Sequence, residues 1–182
     1  MPRFRTVALA GTTAALLLLP TAAYAEGGSS SRPRLAYAYS ADRLSDLDPT
    51  TTSPFDQASA RVLMVGYRNS AFSLRLRGID KSKAGQSYGA HLHVGPCVAG
   101  APSTAGPHYN LDAVRGVTPV VASDQTEVWL DFTVDADGEA RSSTTIPFVP
   151  DAGERAIVIH AEETAPNGTA GARLACLPLT IH

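Results

Sequence analysis

Apolar and polar residues alternate one for one along several stretches of this chain, and that period of two restricts what it can fold into. Phe72, Leu74 and Leu76 interleave with Ser73, Arg75 and Arg77, and Val128, Leu130, Phe132 and Val134 interleave with Trp129, Asp131, Thr133 and Asp135. Only an extended backbone sends successive side chains to opposite faces, so these segments read as half-buried strands. Residues 61–67, 89–94, 156–161 and 174–181 read as further strands, with 35–39 and 139–145 completing the set. Asn69-Ser70 and Asp137-Gly138 fall between such runs and predict hairpin turns. Helix-period segments are scarce, so the expectation is an all-β, antiparallel sandwich or barrel. The long connections, 97–125 and 162–172, are where functional residues are expected.

The amino terminus follows a different pattern. Arg3 and Arg5 precede an apolar run from Val7 to Leu19, Pro20 breaks it, and Ala23-Tyr24-Ala25 supplies small residues for a peptidase. This predicts an export signal peptide over 1–25, cleaved after Ala25. The run is too short for a membrane anchor, and no Cys follows it to carry a lipid. Residues 26–34 are Gly/Ser-rich and read as a flexible linker, leaving a domain over 35–182. Without Arg3 and Arg5, 13 basic residues face 17 acidic ones, a formal charge of −4. Nothing in that balance suggests a nucleic-acid surface, and no later stretch is apolar enough for a membrane span. The two cysteines, Cys97 and Cys176, form an even count in an exported chain and predict a disulfide.

Four of the five histidines sit where they can converge. His91 and His93 are two apart on one predicted strand, so they share a face, with Ala90, Leu92 and Val94 on the other. His160 ends the apolar strand 156–160 and faces outward if Ile157 and Ile159 are core, while His108 lies in the loop segment 106–110. A His-x-His pair alone is a weak signal. Four imidazoles without a thiolate suit Cu(II). His182, at the carboxyl terminus, is not read as a ligand.

Several separated motifs then resemble one family. The segment Gly89-Ala90-His91-Leu92-His93-Val94-Gly95-Pro96-Cys97 resembles the His-x-His strand of the copper/zinc superoxide dismutases, with a disulfide cysteine just after it. Gly106-Pro107-His108-Tyr109-Asn110 is similar to the family's loop bearing the bridging histidine, and residues 134–138 to its Asp-rich hairpin. Ile157-Val158-Ile159-His160 resembles the strand of the last copper ligand, and residues 167–176 the signature with the active-site arginine and second cysteine. The resemblance implies an eight-stranded antiparallel Greek-key barrel or sandwich. It implies one copper held by His91, His93, His108 and His160, and the conversion of superoxide, 2 O2− + 2 H+ → O2 + H2O2. It also implies a Cys97–Cys176 disulfide and catalytic roles for His108 as bridging ligand and Arg173 as anion-binding cation, while the signal peptide predicts a secreted location.

The pattern breaks at the zinc half. The family's remaining zinc ligands belong between His108 and the Asp137-Gly138 turn, yet no histidine occurs between Tyr109 and Ile159. Asp112 and Asp124 stand at no matching position, so zinc is not expected. This resembles the family's copper-only branch. The far nitrogen of His108 then needs another partner. Glu127 and Asp131 share the outward parity of their strand, and either is a candidate to orient the ring. An exported copper-buffering protein without turnover is the alternative reading; it does not require Arg173.

Overall fold

The computed structural model describes residues 35–182, together with Met1; the expected signal peptide over 1–25 and linker over 26–34 lie outside the described residues. Ten strands follow in order: β1 (Ala36–Arg43), β2 (Ser45–Asp46), β3 (Ser59–Gly66), β4 (Ser70–Arg77), β5 (Ser87–Tyr88), β6 (Ala90–His93), β7 (Phe132–Thr133), β8 (Ala140–Ile146), β9 (Gly153–His160) and β10 (Arg173–Ile181). Among the described residues one short α-helix, α1 (Leu111–Arg115), interrupts them, with 3-10 turns at Lys81–Lys83 and Pro102–Ala105. Eight of the strands form two four-stranded antiparallel sheets, β1-β3-β4-β8 and β2-β10-β9-β6, and β5 pairs with β7. The chain leaves the first sheet after β4, runs through the second, and returns as β8 beside β4. That return past an intervening hairpin is a Greek-key connection. The sheets pack as a sandwich that does not close into a continuous barrel.

The alternation seen in sequence carries the core. Ala60, Val62 and Met64 of β3 and Phe72, Leu74 and Leu76 of β4 point inward, in register with one another. Ile157 and Ile159 of β9, Leu177, Leu179 and Ile181 of β10, and Ala90 and Leu92 of β6 meet them from the second sheet. The other face of β9 is also covered: Ala156 and Val158 join Leu47, Ala105 and Cys176 in a second apolar cluster. A strand buried on both faces reads as an unbroken apolar run, which residues 156–159 are.

Two hairpins follow sequence cues, with one shift. Gly138 has φ +74°, and a Cβ there would strike the Ile79 carbonyl, so the Asp137-Gly138 turn needs glycine. The Asp135 carboxylate accepts from Asp137 N (2.9 Å) and Glu139 N (2.8 Å), completing the turn. The β3–β4 turn lies at residues 67–69 rather than at Asn69-Ser70, because Gly66 pairs with Ser70 and Ser70 is buried as the first residue of β4.

The predicted strand 128–134 is extended, and its four apolar side chains are buried, but it is a strand only at β7. It runs beside β6 through Leu92 N to Val128 O (3.3 Å) and Leu130 N to Ala90 O (2.7 Å). The reciprocal donor, Ala90 N, goes instead to the Asp131 carboxylate at 3.3 Å. A side chain has taken a ladder position, and regular pairing stops there.

Cys97 and Cys176 are joined as predicted, closing a loop with a sequence separation of 79. A loop of that length is worth roughly 4 kcal/mol in the chain-entropy treatment. The double variant Cys97→Ala/Cys176→Ala is expected to lose about 2–4 kcal/mol in urea unfolding. An unchanged midpoint would show that the bond does not stabilise this fold.

Candidate metal centre

The centre is built on the outward face of the second sheet. His91 and His93 of β6 and His160 of β9 project there, opposite Leu92, Ile157 and Ile159, which lie in the core. His108 is brought alongside by the segment 107–109, which pairs with β6 through Val94 N to Pro107 O (3.1 Å) and Tyr109 N to Leu92 O (2.7 Å). The four histidines each offer a ring nitrogen, all within 4.8 Å of one another. His182 stands apart, stacked on Tyr37 at 5.1 Å.

Parity placed the rings correctly, but the expected outer face is not a solvent face. His91 and His93 are 0% exposed and His160 3%. The connections between β6 and β7 and between β9 and β10 fold over the sheet and cover them. Alternation reports which face a side chain takes, not what distant loops lay upon it.

Each ring has one nitrogen engaged by a group outside the cluster, and His93 Nε2 and His160 Nε2 lie 3.2 Å from each other. His93 Nδ1 donates to Gly106 O at 2.9 Å and His160 Nδ1 to Gly171 O at 3.2 Å. His108 Nδ1 donates to Glu127 Oε2 at 2.9 Å. His91 is the other way round: Nε2 meets Thr164 Oγ1 at 2.6 Å, and Nδ1 is a buried atom without any hydrogen-bond partner. An orphaned buried nitrogen in a cluster of four imidazoles, two of them with their unprotonated Nε2 atoms only 3.2 Å apart, fits a bound cation. The all-nitrogen, thiolate-free donor set suits copper.

Burial, reinforced by the neighbouring histidines, pushes His91 down to about 2. Burial also lowers His93 to about 3 and His160 to about 4, against partial relief from the Gly106 and Gly171 carbonyls. All three rings are therefore neutral near pH 7, the state a metal ligand requires.

Glu127 and Asp131 separate in the structure. Glu127, 4% exposed, accepts from His108 Nδ1, Asn110 Nδ2 (2.9 Å) and Trp129 Nε1 (2.9 Å). Burial raises its pKa, but these three donors outweigh that and hold it below its ordinary value. Asp131 does not reach His108; its carboxylate accepts from Thr164 N (2.8 Å) and Thr164 Oγ1 (2.7 Å). The expectation that either carboxylate could orient His108 is thus corrected to Glu127. Four residues apart on one extended segment, the two carboxylates share a face but lie too far apart to serve one ring.

Arg173 opens β10, where Leu174 forms a bulge between the pairs Arg173↔His160 and Ala175↔Ile159. Its guanidinium donates to Pro102 O (2.6 Å) and Gly106 O (2.7 Å). Burial lowers its pKa, yet arginine remains a cation. Gly106 O thus accepts from both Arg173 and His93. Sequence reasoning missed Thr164, Asn110, Trp129 and Gly106. Only Trp129 carried a signal, since it shares the parity of Glu127 and Asp131.

A two-sheet antiparallel sandwich with four converging imidazoles, three of them buried, defines a class, the β-sandwich proteins with a histidine cluster that could hold a metal ion. The model of the family described as copper/zinc superoxide dismutase matches residues 59–177. That span is most of the chain, which therefore belongs to the copper/zinc superoxide dismutase family. The crystal structure of the clock protein EA4 is similar in fold, with a TM-score of 0.55 and 16% identity, covering 82% of this chain and 96% of that one. No curated protein matches the sequence.

The buried rings make a prediction for the metal-free protein. Their folded pKa values lie below the usual 6.5, so on acidification the unfolded chain takes up protons first. The corresponding stability is complete above about pH 6.5 and is lost as pH falls toward the folded values. The melting temperature of metal-free protein should be level from pH 8 to pH 7 and fall steadily from pH 6 to pH 4. A constant melting temperature between pH 7 and pH 5 would contradict the buried neutral rings.

Proposed function

We propose that this chain is a copper-dependent superoxide dismutase that acts outside the cytoplasm, with one copper and no zinc. The observation that carries the reading is the four-histidine cluster in which Glu127 occupies the far nitrogen of the bridging-type ligand His108. In the family that nitrogen faces zinc; here a carboxylate stands at it.

His93, His108 and His160 would hold copper through Nε2, and His91 through Nδ1. Copper bound there supplies one-electron redox chemistry, which superoxide dismutation needs. The remaining work falls to the chain. Arg173, its guanidinium braced by two carbonyls, presents a fixed cation that attracts and orients the superoxide anion. His108 is the ring open to solvent, with 18% of its side chain exposed, so it is placed to hold and deliver a proton at Nε2. Glu127 keeps that ring in one orientation and one tautomer throughout. The overlying loops exclude bulk water from the other three rings.

Location rests on two features. The disulfide is of the kind that persists in oxidising compartments, and the sequence of residues 1–25 reads as an export signal. Residues 35–182 would be the mature functional domain.

Metal analysis of the purified protein should give one copper per chain without stoichiometric zinc; one tightly held zinc beside copper would overturn the zinc-free reading. Arg173→Ala should retain copper while its dismutation rate drops on the order of tenfold or more, measured by pulse radiolysis. A copper-loaded wild type without dismutation would instead establish a copper-holding protein.

A further inference from the structure

The connection between β9 and β10 carries a threonine that neither motif nor periodicity marks. Thr164 Oγ1 lies 2.6 Å from His91 Nε2 and 2.7 Å from Asp131 Oδ1, while Thr164 N donates to Asp131 Oδ2 at 2.8 Å. His91 and Asp131 are themselves 3.8 Å apart, beyond hydrogen-bond reach, so the hydroxyl is interposed between them.

The proton inventory of this trio is determined. An ionised carboxylate only accepts, and a hydroxyl has a single proton. That proton therefore goes to Asp131, and Oγ1 must accept from His91. His91 Nε2 then carries the hydrogen. In a neutral ring this leaves Nδ1 bare, and Nδ1 is the buried atom that has no hydrogen-bond partner, while His91 belongs to the four-histidine cluster.

The loop reaches this position by closing onto Gly89. Gly89 N donates to Glu162 O at 2.7 Å. A Cβ on Gly89 would lie 2.8 Å from that oxygen, 2.9 Å from Ala170 Cβ and 3.1 Å from Thr164 Oγ1. The same loop supplies Gly171 O to His160. Two of the four rings thus take their orienting partner from one segment.

We propose that Thr164 is a positioning residue: its hydroxyl, captured by Asp131, fixes the His91 tautomer that presents Nδ1, so that seating of the 161–172 loop completes the ligand set. The proposal rests on the reading of the histidine cluster as a copper site. It needs no turnover to test.

The experiment compares Thr164→Val, Thr164→Ser and Gly89→Ala in the full chain. Cu(II) affinity is measured by competition with a chelator, and the His91 ring nitrogens are followed by NMR in metal-free protein. Valine keeps the shape and removes the hydroxyl, so affinity should fall about 10- to 100-fold and the Nε2–H tautomer should lose its dominance. Serine should restore both. Gly89→Ala, which displaces the loop and leaves Thr164 intact, should reproduce the valine defect. Valine with wild-type affinity and tautomer would overturn the proposal, as would serine as weak as valine, which would assign the effect to packing of the methyl group. If the valine chain does not fold, serine and Gly89→Ala carry the same two readouts. A wild type that binds no Cu(II) would defeat the copper reading, while the tautomer comparison would still decide the role of Thr164.

Discussion

A buried carboxylate with three donors holds the functional side of this molecule together. Glu127 is nearly inaccessible, and an ionised carboxylate in that position is tolerable only if its oxygens are fully used. They are used by His108, Asn110 and Trp129. His108 and Asn110 come from one segment, two residues apart, and Trp129 from the segment of Glu127 itself. His108 is a ring of the cluster, and Trp129 bridges to His91 on the neighbouring strand. Asn110 caps α1, its side-chain oxygen accepting from Asp112 N (2.9 Å) and Ala113 N (3.3 Å). Removal of the carboxylate would take an acceptor from all three donors at once and free the segment that carries His108.

The framework of this arrangement was legible in sequence, and its cover was not. Phe72, Leu74 and Leu76 announce a strand because backbone geometry alone sets the period, and the same rule placed His91, His93 and His160 on one side of the second sheet. Their burial depends on loops from distant parts of the chain, which leave no periodic trace. The segment 128–134 shows the limit from within a strand. Its alternation is correct, but the Asp131 carboxylate replaces a backbone acceptor, and ladder regularity is lost where parity still holds. Glu127 and Asp131 were indistinguishable for a related reason: parity gives both the same face, and only their positions along the strand divide them between His108 and Thr164.

The other constraint is covalent. Cys97 lies on the connection that supplies Pro102 O, Gly106 O and His108, and Cys176 lies on β10 three residues beyond Arg173. The disulfide therefore anchors the loop to the strand whose first side chain bonds that loop. Because Gly106 O accepts from both Arg173 and His93, the cation and a ring of the histidine cluster share one fixed point. The bulge at Leu174 adds local twist where β10 begins, and it sets Arg173 opposite His160.

The electrostatic character of the His108 partner has a consequence of its own. A metal cation on Nδ1 would draw electron density out of the ring and weaken Nε2 as a donor. A carboxylate that accepts a hydrogen bond from Nδ1 does the reverse and strengthens Nε2. A cation binds Nδ1 through the lone pair and leaves no proton there, whereas Glu127 requires Nδ1 to keep its proton. With that proton fixed, Nε2 is the only atom of His108 at which a metal or a second proton can be exchanged. The ring is thereby open on one side only, and Glu127 supplies a constraint that a metal ion at Nδ1 would supply in a different way.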